Sequence, residues 1–244
     1  MTTQPRPLTF LVFAALLTAP TTLQAQSAEQ LLAGAHILGS AANLVADAEL
    51  EIHGGSGDLE RGIRLHLRNE SDGGSRVLAQ VIRPAYLSSM KFLMYREPDG
   101  RQDRWVTTSR GVRRLTAGDG DERIFGSDFT AADLSSLDVA GHRLEVLDRE
   151  DGLARIRATR AGEPTRVISV DTENGLITQL DYLGADGEPV RRYRVQEVGQ
   201  TDGVRFPRVA RLDDLTGGTY TVLRLTSVVV VDSIPDRVFS RAGL

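Results

Sequence analysis

The chain has 244 residues, with 33 acidic and 29 basic side chains, and contains no cysteine. Its net charge of -4, with both signs mixed along the chain, disfavours a nucleic-acid partner, because such proteins concentrate positive charge on one surface. The absence of cysteine excludes disulfides, thiolate metal ligands and anchoring through a lipidated cysteine.

The N-terminal residues have the order of a secretory signal peptide. Arg6 precedes the apolar run Leu8–Leu17, and Ala25 is a small residue suited to cleavage. We therefore expect a signal peptide over residues 1–25 and export to the periplasm. The apolar run is roughly half the ~20 residues that span a bilayer, so we expect no transmembrane segment in the mature chain. Because no long linker divides them, residues 26–244 are predicted to form a single domain.

Helical patterns are few. Ser27–Leu44 has apolar residues at helical spacing, with Ser27 as its N-cap, and a second helix is expected near Thr130. Thr130 and Asp133 match a T-x-x-D capping box, which is typical of a helix start. Both helices are short compared with the rest of the chain, so helices are expected to be a minor part of the fold.

Alternation of apolar and polar residues predicts strands through most of the remaining chain. The first five are expected at Glu49–His53, Gly62–Arg68, Arg76–Ile82, Lys91–Glu97 and Arg104–Arg110. Their inward-facing residues, which form either plain core or the lining of a lipid cavity, are predicted to be Leu50, Ile52, Ile63, Leu65, Leu67, Val77, Val81, Phe92, Met94 and Trp105. Further alternating segments after residue 142 bring the total to about ten strands.

This pattern predicts a fold that is mainly β with few helices (α+β), built on one large curved antiparallel sheet. The apolar face of such a sheet must be covered. Either the sheet closes and fills its own interior, or it curves around an apolar cavity with the helices as a partial lid.

The segment "IFGSDFTAADL" raises the question of whether it is a catalytic site or a structural corner. Its corner residues are Phe125, Gly126, Ser127, Asp128 and Phe129. We expect the glycine to permit a tight bend and the serine or aspartate to bind backbone amides near the helix start. The two phenylalanines are expected to anchor the corner in apolar surroundings. These roles favour a structural corner near the cavity.

No arrangement of residues points to catalysis, and we predict no catalytic residue, metal or cofactor. The G-x-S-x-G nucleophile elbow and the H-E-x-x-H zinc motif are both absent from the sequence. His53 and His66 fall on the polar alternates of neighbouring predicted strands, where a metal pair is conceivable but two solvated histidines are favoured.

Several segments in series resemble the LolA-like proteins, in particular the outer membrane lipoprotein-sorting proteins. They are "VLAQVIRPAYLSSMKFLMYREPDGRQDRWV", "GVRRL" (Gly111–Leu115) followed by "IFGSDFTAADL", and "LRLTSVVVVDSIPDRVFS". The resemblance implies an unclosed β-barrel wrapped around helices that serve as lid or plug, with an apolar cavity for acyl chains. It also implies that "GVRRL" is an Arg-Arg turn. From the shared signature we expect Arg113 or Arg114 to pair with Asp128 and hold the lid.

Three functional hypotheses follow. The resemblance implies a periplasmic carrier of lipoprotein acyl chains or other lipids towards the outer membrane, and this branch is associated with transporters of the resistance-nodulation-division (RND) type. The second hypothesis is a periplasmic sensor or adaptor that binds a partner protein through the same fold. A hydrolase acting on an envelope substrate ranks last, because its machinery is not evident in the sequence.

Overall fold

The computed structural model describes residues 26–33, 35–55, 57–116, 122–131, 133, 137 and 139–244, so the expected signal peptide lies outside the described residues. One short helix, α1 (Ala28–Ala33), precedes thirteen strands in this part of the chain. The strands are β1 (Asn43–His53), β2 (Leu59–Asn69), β3 (Ser75–Arg83), β4 (Lys91–Arg96), β5 (Gln102–Thr108), β6 (Gly111–Leu115), β7 (Arg143–Glu150), β8 (Leu153–Thr159), β9 (Thr165–Asp171), β10 (Ile177–Leu183), β11 (Pro189–Thr201), β12 (Val204–Asp214) and β13 (Thr219–Val230).

All thirteen of these strands belong to one antiparallel sheet. Its order is β6-β5-β4-β3-β2-β1-β13-β12-β11-β10-β9-β8-β7, so the first and last strands pair at its centre. Two meanders run outward from that pair, and within the described residues β6 and β7 are the free edges. The sheet is therefore not closed into a barrel, which confirms the predicted mainly-β fold with an unclosed antiparallel sheet.

The sheet has two faces with different coverings. We call the inner face the one that carries Leu65, Phe92, Ile168 and Leu212, because these side chains from both meanders share one hydrophobic core. The outer face carries a smaller cluster over β3–β5, covered by the C-terminal tail, residues 231–244. Two 3₁₀ turns in that tail, Asp236–Phe239 and Arg241–Gly243, bring apolar side chains onto the sheet.

The first predicted helix is much shorter than expected. The helix α1 covers only the start of the predicted Ser27–Leu44, although Ser27 does form the reciprocal cap with Gln30, through contacts of 2.8 and 3.3 Å. Beyond it, the backbone of His36 exchanges two hydrogen bonds of 2.9 Å with the β9–β10 turn. Gly39 has φ 132, which no α-helix accommodates. Tertiary backbone pairing therefore overrides the helical spacing of this segment.

A second correction concerns "GVRRL". The segment expected to be an Arg-Arg turn is the edge strand β6, which pairs with β5 from Thr108↔Gly111 to Arg104↔Leu115. The turn comes earlier, at the two residues between those strands. No helix among the described residues is long and apolar enough to cross a membrane.

Candidate functional site

The chain must pass from one edge of the sheet to the other between β6 and β7. Part of that crossing, residues 122–131, lies over the inner face, and we call it the strap. Its ends form an antiparallel bridge, Arg123↔Thr130, and the amide of Ile124 donates to the carbonyl of Phe129 over 2.9 Å. Ile124, Phe125 and Phe129 are all buried in the inner core. The strap therefore inserts three apolar side chains into the concavity of the sheet.

Local backbone chemistry gives the strap its tight bend. Phe125 and Gly126 both have positive φ, 55 and 76, and the first of these is strained because a bulky side chain disfavours that region. The Ser127 amide and hydroxyl both donate to the Ile124 carbonyl, over 2.9 and 2.7 Å. The Ser127 hydroxyl also accepts from the Phe129 amide over 3.2 Å. Its hydrogen bonds therefore go to the backbone of the bend, which is a structural use of the serine.

A buried polar cluster fixes the strap to the sheet. We call it the latch: Asp128, Arg123, Asp214, Thr219 and Thr221. The Asp128 carboxylate accepts from Thr219 Oγ1 at 2.6 Å, from Thr221 Oγ1 at 2.8 Å and from Arg123 Nη1 at 2.8 Å. Arg123 also pairs with Asp214 at the end of β12. Because Asp128 is only 2% exposed, its charge depends on these donors for solvation.

The predicted partners of Asp128 need correction. Arg113 pairs with Glu122, and Arg114 pairs with Asp103. Arg114 lies opposite Trp105 on β5, so it belongs to the outer face and cannot reach the strap. The arginine that pairs with Asp128 is Arg123, within the strap itself.

Electrostatics favour a charged Asp214 at neutral pH. Burial opposes ionisation of Asp214, but hydrogen bonds from Gly217 and Thr216 and the nearby Arg123 guanidinium hold its pKa below the usual range. Its side chain is only 11% exposed, so these contacts are little screened by water.

Asp133 makes a second anchor beside the latch. Its carboxylate accepts from the Thr130 amide at 2.7 Å, and its own amide donates to Thr130 Oγ1 at 3.4 Å, which is the capping-box geometry. It also accepts from Tyr182 at 2.9 Å and from Arg191 at 2.6 Å. Burial, and then the negative charge of Asp133, raise the pKa of Tyr182, so this phenol remains a hydrogen-bond donor. Four residues of the predicted second helix, 132 and 134–136, lie outside the described residues.

A small apolar cavity lies between the strap and the sheet. Its lining residues are Leu38, Leu50, Ile63, Leu65, Ala79, Ile124, Phe125, Ser127, Phe129 and Leu223. Its volume is about 30 Å³, close to that of one water molecule in the liquid and far below the ~300–1,000 Å³ of ordinary ligand sites. The strap therefore fills most of the concavity.

The residues predicted to face a cavity divide into three groups. Leu50, Ile63 and Leu65 line it directly. The others on the inner face, packed in the same core but outside the lining, are Ile52, Leu67, Val77, Val81, Phe92 and Met94. Trp105 is a correction, because it lies opposite Leu93 and belongs to the outer cluster under the C-terminal tail.

The two strand histidines do not form a pair. His53 ends β1, whereas His66 lies opposite Val45 near the start of that strand. His53 stacks on Tyr220 with ring centroids 4.5 Å apart and contacts Asp58 at 3.2 Å. Among the described residues, no group of three or more possible metal ligands comes together.

Sequence reasoning missed most of the latch. Arg123, Thr219 and Thr221 were not singled out, because the two threonines lie 91 and 93 residues from Asp128 along the chain. The sequence contains one indication of the latch. The alternation in β13 puts both threonines on the same face as Leu223, so two hydroxyls interrupt an apolar face.

The comparisons with known proteins agree with this architecture. A family model described as "Uncharacterized protein" matches residues 73–244, and the chain belongs to that family. No curated protein matches the chain.

Three solved structures share the fold. A DUF1329 family protein from Desulfovibrio piger is 20% identical with a TM-score of 0.74, over 84% of this chain and 92% of that one. An outer membrane lipoprotein-sorting protein domain from Vibrio parahaemolyticus is 16% identical with a TM-score of 0.73, over 83% and 91%. A LolA superfamily protein from Nitrosomonas europaea is 17% identical with a TM-score of 0.65, over 90% and 100%. The expected LolA-like fold is therefore confirmed.

Proposed function

We propose that this LolA-like protein is a periplasmic carrier that binds the acyl chain of a lipoprotein or another lipid on the inner face of its sheet. The strap acts as its plug: it occupies the concavity in the absence of cargo and moves aside when a chain enters. The protein then releases the chain towards the outer membrane, with an RND-type transporter as the partner in the inner membrane.

The observation that carries this proposal is the way the concavity is filled. The apolar centre of the inner face is covered by an irregular loop that contributes Ile124, Phe125 and Phe129. A strained residue, φ 55 at Phe125, lies at its tip. Strain of this kind concentrates at sites that move or bind, and a permanent core more commonly uses a helix or strand to cover a sheet.

The energetics permit exchange of the strap for a lipid chain. Burying one large apolar side chain contributes about 1.5–3 kcal/mol, so three of them contribute roughly 7 kcal/mol. One buried methylene contributes about 0.8 kcal/mol, so about nine methylenes match the strap. A longer acyl chain therefore replaces the strap without a net loss of apolar burial.

The small volume of the cavity, about 30 Å³, favours a second candidate as well. If the strap never moves, the inner face is ordinary core and the protein is a sensor or adaptor that binds a partner protein. The two candidates differ in whether any lipid enters the fold.

Mass spectrometry of lipids extracted from protein purified without detergent separates the two. A stoichiometric lipid, together with uptake of a fluorescent fatty acid by the delipidated protein, supports the carrier. An empty protein that also fails to take up the fatty acid contradicts it and favours the adaptor.

A matched pair of variants tests whether the lipid binds in the concavity. Ala79 lines the cavity, and Ala79→Leu fills the space beneath the strap. Ala158 is equally buried in the same core but lies on β8, outside the lining, so Ala158→Leu is the control for overpacking. We expect fatty-acid binding to fall at least tenfold only for Ala79→Leu. Equal losses in both variants would place the lipid elsewhere.

A further inference from the structure

We propose that Arg96 and Arg104 form the site for the anionic headgroup, a phosphate or a carboxylate, of the lipid whose chain lies on the inner face. This inference rests on the proposed lipid binding and specifies which lipids the protein accepts.

The strand register places both arginines on the inner face. Arg96 follows Phe92 and Met94 at the period of two, and both of those side chains are in the inner core. Arg104 lies opposite Met94 on β5. The two arginines are therefore diagonal neighbours across β4 and β5, about 7–8 Å apart, from where both guanidinium groups can reach one anion.

Both side chains have an unsatisfied donor. The Nε atoms of Arg96 and Arg104 are shielded from solvent and have no hydrogen-bond partner. Two other arginines share this feature, but Arg166 forms an ion pair with Glu163 and Arg61 donates to a backbone carbonyl. Within the described residues, Arg96 and Arg104 have no side-chain hydrogen bond or ion pair at all. A shielded cationic donor without an acceptor is unfavourable, and an anionic oxygen would satisfy it.

Two of the nearby acids, Asp103 and Glu70, form ion pairs with other arginines. Asp103, next to Arg104 in sequence, pairs with Arg114 on the outer face. Glu70 pairs with Arg68 and Arg76. Neither of these two carboxylates therefore neutralises the inner arginines.

The distance from the two inner arginines to the cavity is suitable for a lipid. Ala79 lines the cavity and lies in one row with Phe92 and Val106, and Arg104 is two residues from Val106 along β5. Two strand spacings and a two-residue step amount to roughly 12 Å. A chain entering under the strap can thus keep its headgroup at the arginines, near the end of β6 where the crossing begins.

The test compares cis-parinaric acid, a fluorescent fatty acid, with its uncharged methyl ester at mildly alkaline pH. Wild-type protein is expected to bind the acid at least about tenfold more tightly than the ester, the effect of one charge-assisted contact. Arg96→Gln with Arg104→Gln is expected to remove that preference and leave ester binding unchanged. The control is Arg110→Gln, at the exposed β5–β6 turn, which should alter neither affinity.

The results with the two probes distinguish failure of the headgroup site from failure of the proposed lipid binding. Equal binding of acid and ester to wild-type protein, or an unchanged preference in the double variant, overturns the headgroup site while ester binding still supports the carrier. If neither probe binds, the proposed function fails and the headgroup site fails with it. Inorganic phosphate is titrated separately: if it binds through the two arginines while acid and ester bind alike, the site serves free anions and the lipid assignment is overturned.

Discussion

Two irregular segments each cover one face of the same sheet, and they differ in the polar groups that hold them and in the space beneath them. The C-terminal tail buries Phe239 completely and leaves Ile234 4% exposed, and its backbone carbonyls accept hydrogen bonds from Arg68 and Tyr95. The strap on the inner face also buries phenylalanines, but its polar attachment runs through two buried carboxylates, Asp128 and Asp133, and a cavity remains beneath it.

This difference indicates which covering is removable. Phe239 is completely buried in the outer cluster, so the tail is expected to stay in place until the protein unfolds. The strap lies over a cavity and is held by hydrogen bonds to the Asp128 and Asp133 carboxylates, which depend on distance and angle. We therefore expect the strap to be the covering that moves, and the tail to be a permanent part of the outer cluster.

The largest expected effect is a loss of stability when a buried side chain of the C-terminal tail is removed. Phe239→Ala removes a fully buried ring and should lower the free energy of unfolding by about 3–5 kcal/mol, measured by urea denaturation. Fatty-acid affinity per folded molecule should not change, because the tail covers the opposite face. A loss of lipid affinity with normal stability would contradict the division of roles between the two faces.

An intermediate effect is expected at the latch. Asp128→Asn removes the charge that Arg123, Thr219 and Thr221 neutralise or solvate, and should lower the free energy of unfolding by about 2 kcal/mol, less than a fully buried pair because Arg123 is 47% exposed. Fatty-acid uptake should become faster in stopped-flow fluorescence. Asp103→Asn, which breaks an exposed pair with Arg114, is the control and should change neither quantity appreciably. Uptake at the wild-type rate in Asp128→Asn would show that the latch does not gate entry.

The smallest effect is the acid dependence of the strap. The lowered pKa of Asp214 means that its carboxylate stabilises the fold above its unfolded pKa of ~3.9, and that this contribution is lost as pH falls through the lower folded value. Stability should therefore fall more steeply below about pH 4 in the wild type than in Asp214→Asn. Parallel pH profiles for the two proteins, measured by urea denaturation, would contradict the assigned role of Asp214.

The alternation of apolar and polar residues was sufficient to predict the sheet, but not the segments that cover its two faces. Val77 and Val81 could be placed on the inner face because alternation in β3 decides the face of every residue in the strand. Trp105 could not, because Trp105 and Val106 are both apolar and the tail that buries Trp105 comes more than a hundred residues later. The partner of Asp128 was missed for a related reason. Alternation predicts the face of the sheet on which a side chain lies, but not which other side chain it contacts.

The most direct test of the account locks the strap. Asp128→Cys and Thr221→Cys place two thiols where the native side chains are in contact, in a chain with no other cysteine. The pair is closed by oxidation or by a short thiol-bridging reagent, and fatty-acid binding is compared before and after, then again after reduction of the oxidised form. We expect the closed form to lose binding and the reduced form to regain it. Equal binding by the closed and reduced forms would contradict the claim that a lipid enters by displacing the strap.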